Sequence, residues 1–168
     1  MKRLEKEWYR TRAAKSARRP MPSTHTSLHV HVVFSTKDRI ALISREWRDR
    51  LHGYLGGIAK GLGAVPLAVG GMEDHVHLLV GLKSSHRVDY FVRDLKAASS
   101  AWVHDAIGKG TFAWQKGYGV FSVSPTNIDT VKRYVLNQEQ HHKRRTFQSE
   151  YLELLKASGI EFDERYIW

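Results

Sequence analysis

Apolar positions along the chain follow two different periods, and each period predicts a different kind of element. Short runs rich in β-branched and leucine side chains, bounded by turn residues, predict strands. Apolar residues spaced three or four positions apart predict amphipathic helices. The predicted strands are Leu28 to Ser35, Ala64 to Val69, His75 to Leu82 and Val120 to Ser124, and the predicted helices are Glu46 to Leu62, Val88 to Trp102 and Pro125 to His142.

The order of these elements is βαββαβ followed by a further helix, and it predicts an α+β fold. This order is typical of a split βαβ, or ferredoxin-like, arrangement, in which four antiparallel strands form one sheet with helices on one face. The helix from Pro125 to His142 is then an addition at the C-terminal end. Since no internal repeat interrupts the pattern, we predict a single domain over residues 25–168.

Composition narrows the class of protein. The chain has 168 residues, is 42% hydrophobic and carries a net charge of +10, which favours a polyanionic partner such as nucleic acid. It contains no cysteine, which excludes disulfides and thiolate metal ligands and fits a reducing compartment. Because no apolar run reaches about 18 residues and no signal peptide precedes the domain, we expect a cytoplasmic protein with no membrane partner.

Residues 1–24 differ from the rest of the chain. They hold eight Lys or Arg against two Glu and show no sustained apolar periodicity. A charged segment that cannot bury apolar surface does not offset the entropy of ordering itself. We therefore predict a flexible basic tail, which is either an accessory DNA-binding arm or an extension without a role.

The most specific chemical signal lies in the third predicted strand, where His75 and His77 are two residues apart. Side chains at positions i and i+2 of a strand share one face about 7 Å apart, close enough for two neutral imidazoles to bind one metal ion. A metal held by only two protein ligands keeps open positions at which it does chemistry. A structural histidine pair is the commoner explanation of this spacing, so the motif needs a partner elsewhere in the chain.

The last predicted helix supplies that partner. Tyr134 and Gln138 are four residues apart, so they lie about 6 Å from each other along the edge of the apolar stripe. Gln138 offers an amide oxygen as a third metal ligand, and Tyr134 offers a phenol one helical turn away. Two imidazoles, one carbonyl oxygen and a tyrosine are what metal-assisted phosphoryl transfer with a tyrosine nucleophile requires.

Several segments carry a resemblance to a known family. They are Leu28 to Lys37, Asp74 to Leu79, Leu95 and Lys96 with Ser99, Ser100 and Trp102, Phe112 to Gly119, Tyr134 to Gln138, and Gly159 to Tyr166. In this order and spacing, over about residues 26–168, the sequence resembles the single-tyrosine transposases of the His-hydrophobic-His nuclease superfamily. That group includes the REP-associated transposases and their domesticated relatives.

The resemblance implies a complete set of expectations. It assigns metal ligation to His75, His77 and Gln138, nucleophilic attack to Tyr134, and Mg or Mn as the working ion. It implies a bacterial, nucleoid-associated enzyme that cuts and rejoins single-stranded or hairpin DNA through a 5′-phosphotyrosine. It also implies a homodimer in which the tyrosine helix of one subunit completes the metal site of the other.

The segment from Gly108 to Gly119 is rich in Gly, Lys and aromatic residues, and we predict that DNA lies across it. Base stacking needs exposed rings beside positive charge, and this region supplies both. The candidate DNA-binding residues are Lys96, Trp114, Lys116 and Tyr118. The alternative is that the Trp and Tyr close one end of the sheet.

Two other pairs repeat parts of the site pattern. His29 and His31 have the same spacing on the first strand, without a glycine-rich or acidic approach before them. Tyr90 is followed four residues later by Asp94, whose carboxylate suits Mg better than an amide does. We rank this pair second because it follows the third strand so closely and because the resemblance places the nucleophile at Tyr134.

Other functions stay open at this point. A non-catalytic or domesticated nucleic-acid-binding protein of ferredoxin-like fold would explain the basic charge and Trp114, but it leaves the metal ligands without a role. The cyclic phosphodiesterases need His-x-Ser or His-x-Thr on facing strands, and here Val33 and His77 occupy those second positions. The group that deprotonates Tyr134 is also open among His141, His142 and a metal-bound water.

Overall fold

The computed structural model describes residues 25–167, and the predicted basic tail lies outside the described residues. The strands are β1 (Leu28–Ser35), β2 (Val65–Gly71), β3 (His75–Leu82) and β4 (Gly119–Val123). The helices are α1 (Arg45–Gly61), α2 (Val88–Trp102), α3 (Ile128–Leu136), α4 (Gln138–His142) and α5 (Phe147–Ala157). Short helical turns cover Lys37–Arg39, Val103–Ile107, Pro125–Asn127 and Glu164–Tyr166.

The four strands form one antiparallel sheet in the order β2-β3-β1-β4. With α1 between β1 and β2, and α2 between β3 and β4, this is the split βαβ arrangement that the element order predicts. The predicted α+β, ferredoxin-like fold is confirmed. Its two central strands, β3 and β1, are paired on both edges, so their residues are the most completely buried.

Alternate residues of the central strands serve two different cores, because side chains along a strand point to opposite faces. Val32, Val76 and Leu78 face α1 and α2 and belong to the larger apolar cluster. Val33 packs against residues of α5, and Leu79 packs against α3 in a second and a third cluster. The sheet is therefore covered on both faces, with the two βαβ helices on one face and α3 to α5 on the other.

The prediction of a single helix from Pro125 to His142 is wrong. The chain instead forms a 3-10 turn and then α3 and α4, which meet at Asn137. Asn137 has φ −103° and ψ 26°, outside helical values, and its N–H contacts the carbonyl oxygens of Arg133 and Tyr134 at 3.0 and 3.3 Å. The apolar stripe of this segment ends at Val135, before the break, so it gives no information on the helix beyond Asn137.

Helix α5 is an element that the sequence pattern did not predict. The hydroxyl of Thr146 accepts a hydrogen bond from the N–H of Ser149 at 3.2 Å, which caps the helix start. Phe147 and Leu155 bury one side of the helix against Val33 and Phe121 of the sheet. This packing brings α5 beside α3 and adds its polar residues to the site.

Candidate functional site

His75 and His77 lie on the same face of β3 and are fully buried. Their ring centroids are 4.9 Å apart with the ring planes nearly perpendicular. Both occupy positions on the face covered by α3 to α5, whereas Val76 between them faces the other core. The two-residue spacing thus brings two imidazoles together below the C-terminal helices.

One nitrogen of each imidazole is held by a neighbouring side chain. The Nδ1 atom of His75 lies 2.6 Å from a carboxylate oxygen of Asp74, and Nδ1 of His77 lies 2.8 Å from Nε2 of His31. These contacts fix the orientation of both rings and direct each Nε2 atom toward α5. In protein metal sites, the ligating histidine commonly uses its second nitrogen in this way.

Glu150 of α5 reaches both Nε2 atoms. One of its carboxylate oxygens, Oε2, lies 3.8 Å from Nε2 of His75 and 3.6 Å from Nε2 of His77. Candidate ligand atoms of the three residues lie within 4.8 Å of one another, and all three side chains are buried. Sequence reasoning did not identify Glu150, although the capped apolar pattern after Thr146 was a signal for the helix that carries it.

Gln138 lies at the edge of the same group. Its Oε1 atom is 3.5 Å from Nε2 of His75, and its Nε2 atom donates to Glu150 at 3.2 Å and to the carbonyl of Tyr134 at 3.3 Å. Gln138 is the first residue of α4, so the break at Asn137 determines where its amide lies. The structure therefore brings together the three predicted ligands and adds Glu150 as a fourth candidate ligand, the second with an oxygen donor.

These residues fit a divalent cation. Nε2 of His77 is buried and has no hydrogen-bond partner among residues 25–167, which is costly unless a ligand binds it. Burial lowers the pKa of His77 to about 4, so its imidazole is neutral at pH 7 and offers a lone pair. Ligand atoms about 2.1 Å from a shared ion lie roughly 3 to 4 Å apart, and the contacts of His75 with Gln138 at 3.5 Å and of Glu150 with the two histidines at 3.6 and 3.8 Å fall in this range.

Tyr134 meets the same carboxylate. Its hydroxyl donates a hydrogen bond to Oε1 of Glu150, and its ring contacts that of His77 edge-on with centroids 5.8 Å apart. Burial, together with the negative charge of Glu150, raises the pKa of Tyr134 well above its ordinary value. The phenol is therefore protonated at neutral pH in the metal-free protein.

A glycine sets the distance between Tyr134 and the sheet. A Cβ atom on Gly70 of β2 would lie only 1.9 Å from the carbonyl oxygen of Val135. The absence of a side chain at Gly70 therefore lets α3 lie directly on the sheet. The neighbouring Gly71 has φ +148°, a conformation that L side chains rarely adopt, where the chain turns toward His75.

The two histidines that follow Gln138 contact Glu150 rather than the tyrosine hydroxyl. Nε2 of His142 lies 3.0 Å from Oε2 of Glu150, and Nε2 of His141 lies 3.7 Å from Oε1. Burial lowers the pKa of His142, but its hydrogen bond to Glu150 and the charge of that carboxylate outweigh this and raise it overall. The hydrogen-bond acceptor of the Tyr134 hydroxyl is Glu150, which was not among the groups considered from the sequence.

The predicted DNA-binding residues line a groove between α2 and the loop before β4. Lys96, Trp114, Lys116 and Tyr118 share this groove, of about 470 Å³, with Arg93. Nζ of Lys96 donates to three loop carbonyls, those of Gln115 at 2.7 Å, Lys116 at 3.2 Å and Gly117 at 2.7 Å, and burial lowers its pKa to about 8. Lys96 therefore holds the loop in place.

The two aromatic residues of this groove differ in exposure. The indole N–H of Trp114 donates to the hydroxyl of Ser99 at 2.9 Å, and its ring packs edge-on against Phe34 and Phe112. Tyr118 is 41% exposed, so its ring has a face that a base could contact.

Of the two alternative pairs, only His31 contacts this cluster, through His77 at 2.8 Å, whereas His29, Tyr90 and Asp94 make their contacts elsewhere. His29 contacts the hydroxyl of Ser27 at 3.4 Å near the start of β1. Tyr90 is exposed and lies between the guanidinium groups of Arg87 and Arg93, 3.9 and 4.4 Å from its ring centroid. Asp94 pairs with Arg93 at 2.8 Å, so its charge is already balanced by a neighbouring cation.

Within residues 25–167, no helix is long and apolar enough to cross a bilayer.

Comparisons with known proteins agree with one another. The family described as "Transposase IS200 like" matches residues 24–138. The ISDra2 transposase TnpA of Deinococcus radiodurans is 28% identical over 122 residues, which cover 69% of this chain and 86% of the relative. The family match ends at Gln138, so it contains both histidines and Tyr134 but not Glu150.

Two solved structures are similar to this one. The crystal structure of a protein assigned as a transposase from Deinococcus radiodurans superposes with a TM-score of 0.58 at 30% identity, covering 71% of this chain and 97% of the other. A REP-associated tyrosine transposase bound to a REP hairpin gives a TM-score of 0.49 at 12% identity, covering 68% of this chain and 70% of the other. The second likeness is too distant to transfer any site residue.

Proposed function

Since the chain belongs to the IS200-like transposase family, the single-tyrosine transposases of the His-hydrophobic-His superfamily, we propose that it cuts and rejoins single-stranded DNA with Tyr134 as the nucleophile. A DNA strand-transfer enzyme of this kind needs a nucleophile, a means of stabilising a charged phosphate, and a surface for the strand. The described residues offer a candidate for each.

We assign the cation to His75, His77, Glu150 and Gln138. Two neutral imidazoles with one carboxylate and one amide oxygen form a donor set that suits Mn²⁺ and Mg²⁺. When bound there, the ion would polarise a nonbridging oxygen of the scissile phosphate and offset the charge of Glu150. Asp74 and His31 would keep the two imidazoles in the ligating orientation.

The reaction then follows from the position of the tyrosine hydroxyl. The Tyr134 oxygen attacks phosphorus, the bond from phosphorus to the 3′ oxygen breaks, and the products are a 5′-phosphotyrosine and a 3′-hydroxyl. Glu150, the hydrogen-bond acceptor of the Tyr134 hydroxyl, takes its proton, and the leaving 3′ oxygen takes up a proton from solvent to become the 3′-hydroxyl. The new ester keeps the reactivity of the broken bond, so a second 3′-hydroxyl can reverse the step without ATP.

One observation carries this assignment: a single buried carboxylate contacts both the tyrosine hydroxyl and the two strand histidines. Glu150 accepts the hydrogen bond of Tyr134 and lies 3.6 Å from Nε2 of His77. A cation among these donors would therefore lie next to the nucleophile, as a phosphate bound between them requires. A buried histidine pair with only a structural role has no need for a tyrosine on the same carboxylate.

We propose single-stranded or hairpin DNA as the partner. The groove with Lys116 and Tyr118 combines positive charge with an exposed ring and suits a base or a hairpin end. The basic tail over residues 1–24 would add sequence-independent attraction to phosphates. Its removal should then reduce the salt dependence of DNA binding without changing the cleavage rate at saturating DNA.

The experiment that tests the function is covalent trapping. Wild-type protein is incubated with single-stranded DNA carrying a hairpin and Mn²⁺, and a protein–DNA adduct is sought on denaturing gels. The adduct should form with wild type and be absent with Tyr134→Phe, while Tyr90→Phe serves as the matched control and keeps it. Tight DNA binding without any adduct in wild type would instead support the non-catalytic nucleic-acid-binding alternative.

A further inference from the structure

A basic cleft lies beside Tyr134, and no part of it coincides with the groove of Lys96 and Trp114. It has a volume of about 760 Å³. Its lining residues come from α3, α4 and the turn that follows: Arg133, Tyr134, Asn137, Gln140, His141, Lys143, Arg144 and Arg145. We call it the Arg133 cleft. Half of its lining is Lys or Arg, and no Asp or Glu contributes to it.

Most of this positive charge is available to a ligand. Among residues 25–167, the side chains of Lys143 and Arg144 form no hydrogen bond or ion pair, and Arg133 contacts only the hydroxyl of Thr130 at 3.5 Å. Arg145 alone has an acidic partner, Glu153, and both of these side chains are exposed. Exposed ion pairs of this kind are weak, so Arg145 can exchange its partner for a phosphate.

The groove on the other side of α4 provides a contrast. It is lined by Arg45, Arg48 and His52 together with Asp49 and Glu139. Both arginines pair with Glu139, and Asp49 supplies a second carboxylate to the lining, so the two positive charges are balanced within the groove. Of the two grooves that flank α4, only the Arg133 cleft presents a surplus of positive charge.

The cleft also contains the proposed nucleophile in its wall. Tyr134 contributes to its lining, and the His141 ring lies 5.0 Å from the Tyr134 ring. Asn137 and Gln140 add neutral amide donors between the cations. A strand that presents a phosphate to Tyr134 must pass these groups, because the opposite side of the tyrosine ring is occupied by the sheet histidines.

We infer that the Arg133 cleft binds the phosphodiester backbone of the strand that Tyr134 cuts, on one side of the scissile phosphate. Arg133, Lys143 and Arg144 contact successive phosphates and position the strand, whereas the groove with Tyr118 serves a separate part of the DNA. This inference rests on the proposed function, since it specifies the substrate contacts of the same site. It assigns these cations to positioning rather than to the chemical step.

The test measures DNA binding apart from cleavage. In the Tyr134→Phe protein without metal, the triple change Arg133→Gln, Lys143→Gln, Arg144→Gln is compared with a matched triple of exposed lysines outside the cleft, Lys60→Gln, Lys83→Gln, Lys132→Gln. Each phosphate of a single strand that is no longer neutralised by a cation lowers the salt slope of log K by about 0.7. The cleft triple should reduce the slope by about 2 and weaken binding at least tenfold, and the control triple should change affinity less than threefold.

Methylphosphonate substrates locate the contacts along the strand. Neutralising one phosphate beside the cut site should weaken binding to the protein with an intact cleft but add nothing in the cleft triple. Charge-preserving Arg133→Lys with Arg144→Lys should keep most of the affinity, which separates a charge effect from a folding defect. Equal affinity and slope in the cleft and control triples would overturn the inference.

The outcome also separates this inference from the proposed function. If wild type forms the Tyr134 adduct but the cleft triple binds DNA normally, only the cleft assignment fails. If wild type neither binds single-stranded DNA nor forms the adduct, the function fails and the cleft assignment fails with it.

Discussion

Nε2 of His31 lies 2.8 Å from Nδ1 of His77, and the two rings stack with their centroids 5.0 Å apart. The sequence presents His31 as part of a second His-x-His pair that competes with the first. The structure makes it the partner that holds His77. Burial, reinforced by the nearby His77, lowers the pKa of His31 to about 3, so it is neutral and accepts the Nδ1–H that a ligating His77 would carry.

His31→Phe should therefore weaken metal binding while leaving the fold intact. Phenylalanine keeps the ring contact but removes the hydrogen-bond acceptor, and removal of such a partner typically costs 10- to 100-fold in metal affinity. His31→Asn, which can still accept a hydrogen bond, should recover part of the affinity. Titration calorimetry with Mn²⁺ and the visible spectrum of bound Co²⁺ measure the effect. His29→Phe on the same strand is the control, and equal affinities for all three variants would contradict the assignment.

Glu150→Gln should reduce Mn²⁺ affinity at least tenfold. The change keeps the shape of the side chain and a hydrogen-bond acceptor for Tyr134, but it removes the only carboxylate among the candidate ligands. Gln138→Ala should also weaken binding, to a smaller extent, because the carboxylate remains. Glu153→Gln, on an exposed position of the same helix, should change nothing. Unaltered metal affinity in Glu150→Gln would leave Gln138 as the third ligand by itself.

The contrast between the histidines and Glu150 shows what the sequence can and cannot reveal. His75 and His77 follow from a local rule, because residues two apart on a strand share a face, and the split βαβ order follows from elements that are each locally encoded. Glu150 joins the site only because α5 packs back across the sheet through Phe147 and Leu155. No local pattern states which side chain such packing will bring to a histidine.

Other differences have the same origin. The apolar residues that predicted one continuous helix all precede Asn137, and the polar residues of α4 carry no periodic signal that could show the break. Lys96 appears in the sequence as a cation beside aromatic residues. In the fold its ammonium group donates to the carbonyls of Gln115 and Gly117, which only the closed loop brings within reach.

Gly70→Ala should destabilise the protein by about 1 to 3 kcal/mol or displace α3, because the new methyl group would meet the carbonyl of Val135 at 1.9 Å. Displacement of α3 moves Tyr134 away from Glu150, so adduct formation should fall more than stability alone explains. The matched control is Gly57→Ala on α1, where nothing lies within 4 Å and alanine should stabilise the helix by about 0.5 to 1 kcal/mol. Urea unfolding and adduct yield are measured in both. Normal stability and normal adduct yield in Gly70→Ala would show that α3 does not pack closely against Gly70.

The metal-free protein should lose stability as the pH falls from about 6.5 to about 4. The folded-state pKa values of His31 and His77 are lowered to about 3 and about 4, so over this range the unfolded chain binds more protons than the folded one. Stability therefore rises with pH here, by up to about 1.4 kcal/mol per pH unit for each group. His142 has the opposite sign, since its raised pKa favours the folded state below neutrality and this benefit is lost as the pH rises.

Urea unfolding at pH 7.0, 5.5 and 4.5 in EDTA measures this dependence. His52, whose pKa burial lowers to about 4, contributes in the same direction, and a smaller slope is expected in His31→Phe, which removes one of these three histidines. Mn²⁺ should lower the pH at which stability begins to fall, because the ion competes with protons for the imidazoles. Stability that stays constant from pH 7.0 to 4.5 would show that these histidines are not buried as neutral groups.

We predict a homodimer in which Tyr134 of one subunit acts with His75 and His77 of the other. Within the described chain, Tyr134 reaches its own His77, and α3 follows β4 through the short turn at Pro125–Asn127. The packing of α3 against Gly70 would be identical in a dimer in which the subunits exchange this helix. The same surfaces meet whether α3 comes from the same subunit or from the partner subunit.

Complementation distinguishes the two arrangements. Tyr134→Phe subunits are mixed with His75→Ala, His77→Ala subunits, and mixed dimers are verified by native mass spectrometry. In the shared arrangement, each mixed dimer holds one site with an intact tyrosine and intact histidines, so up to half of the wild-type adduct yield per dimer should return. If verified mixed dimers form no adduct, then every subunit builds its site from its own α3, since each mixed dimer then lacks either the tyrosine or the histidines at both of its sites.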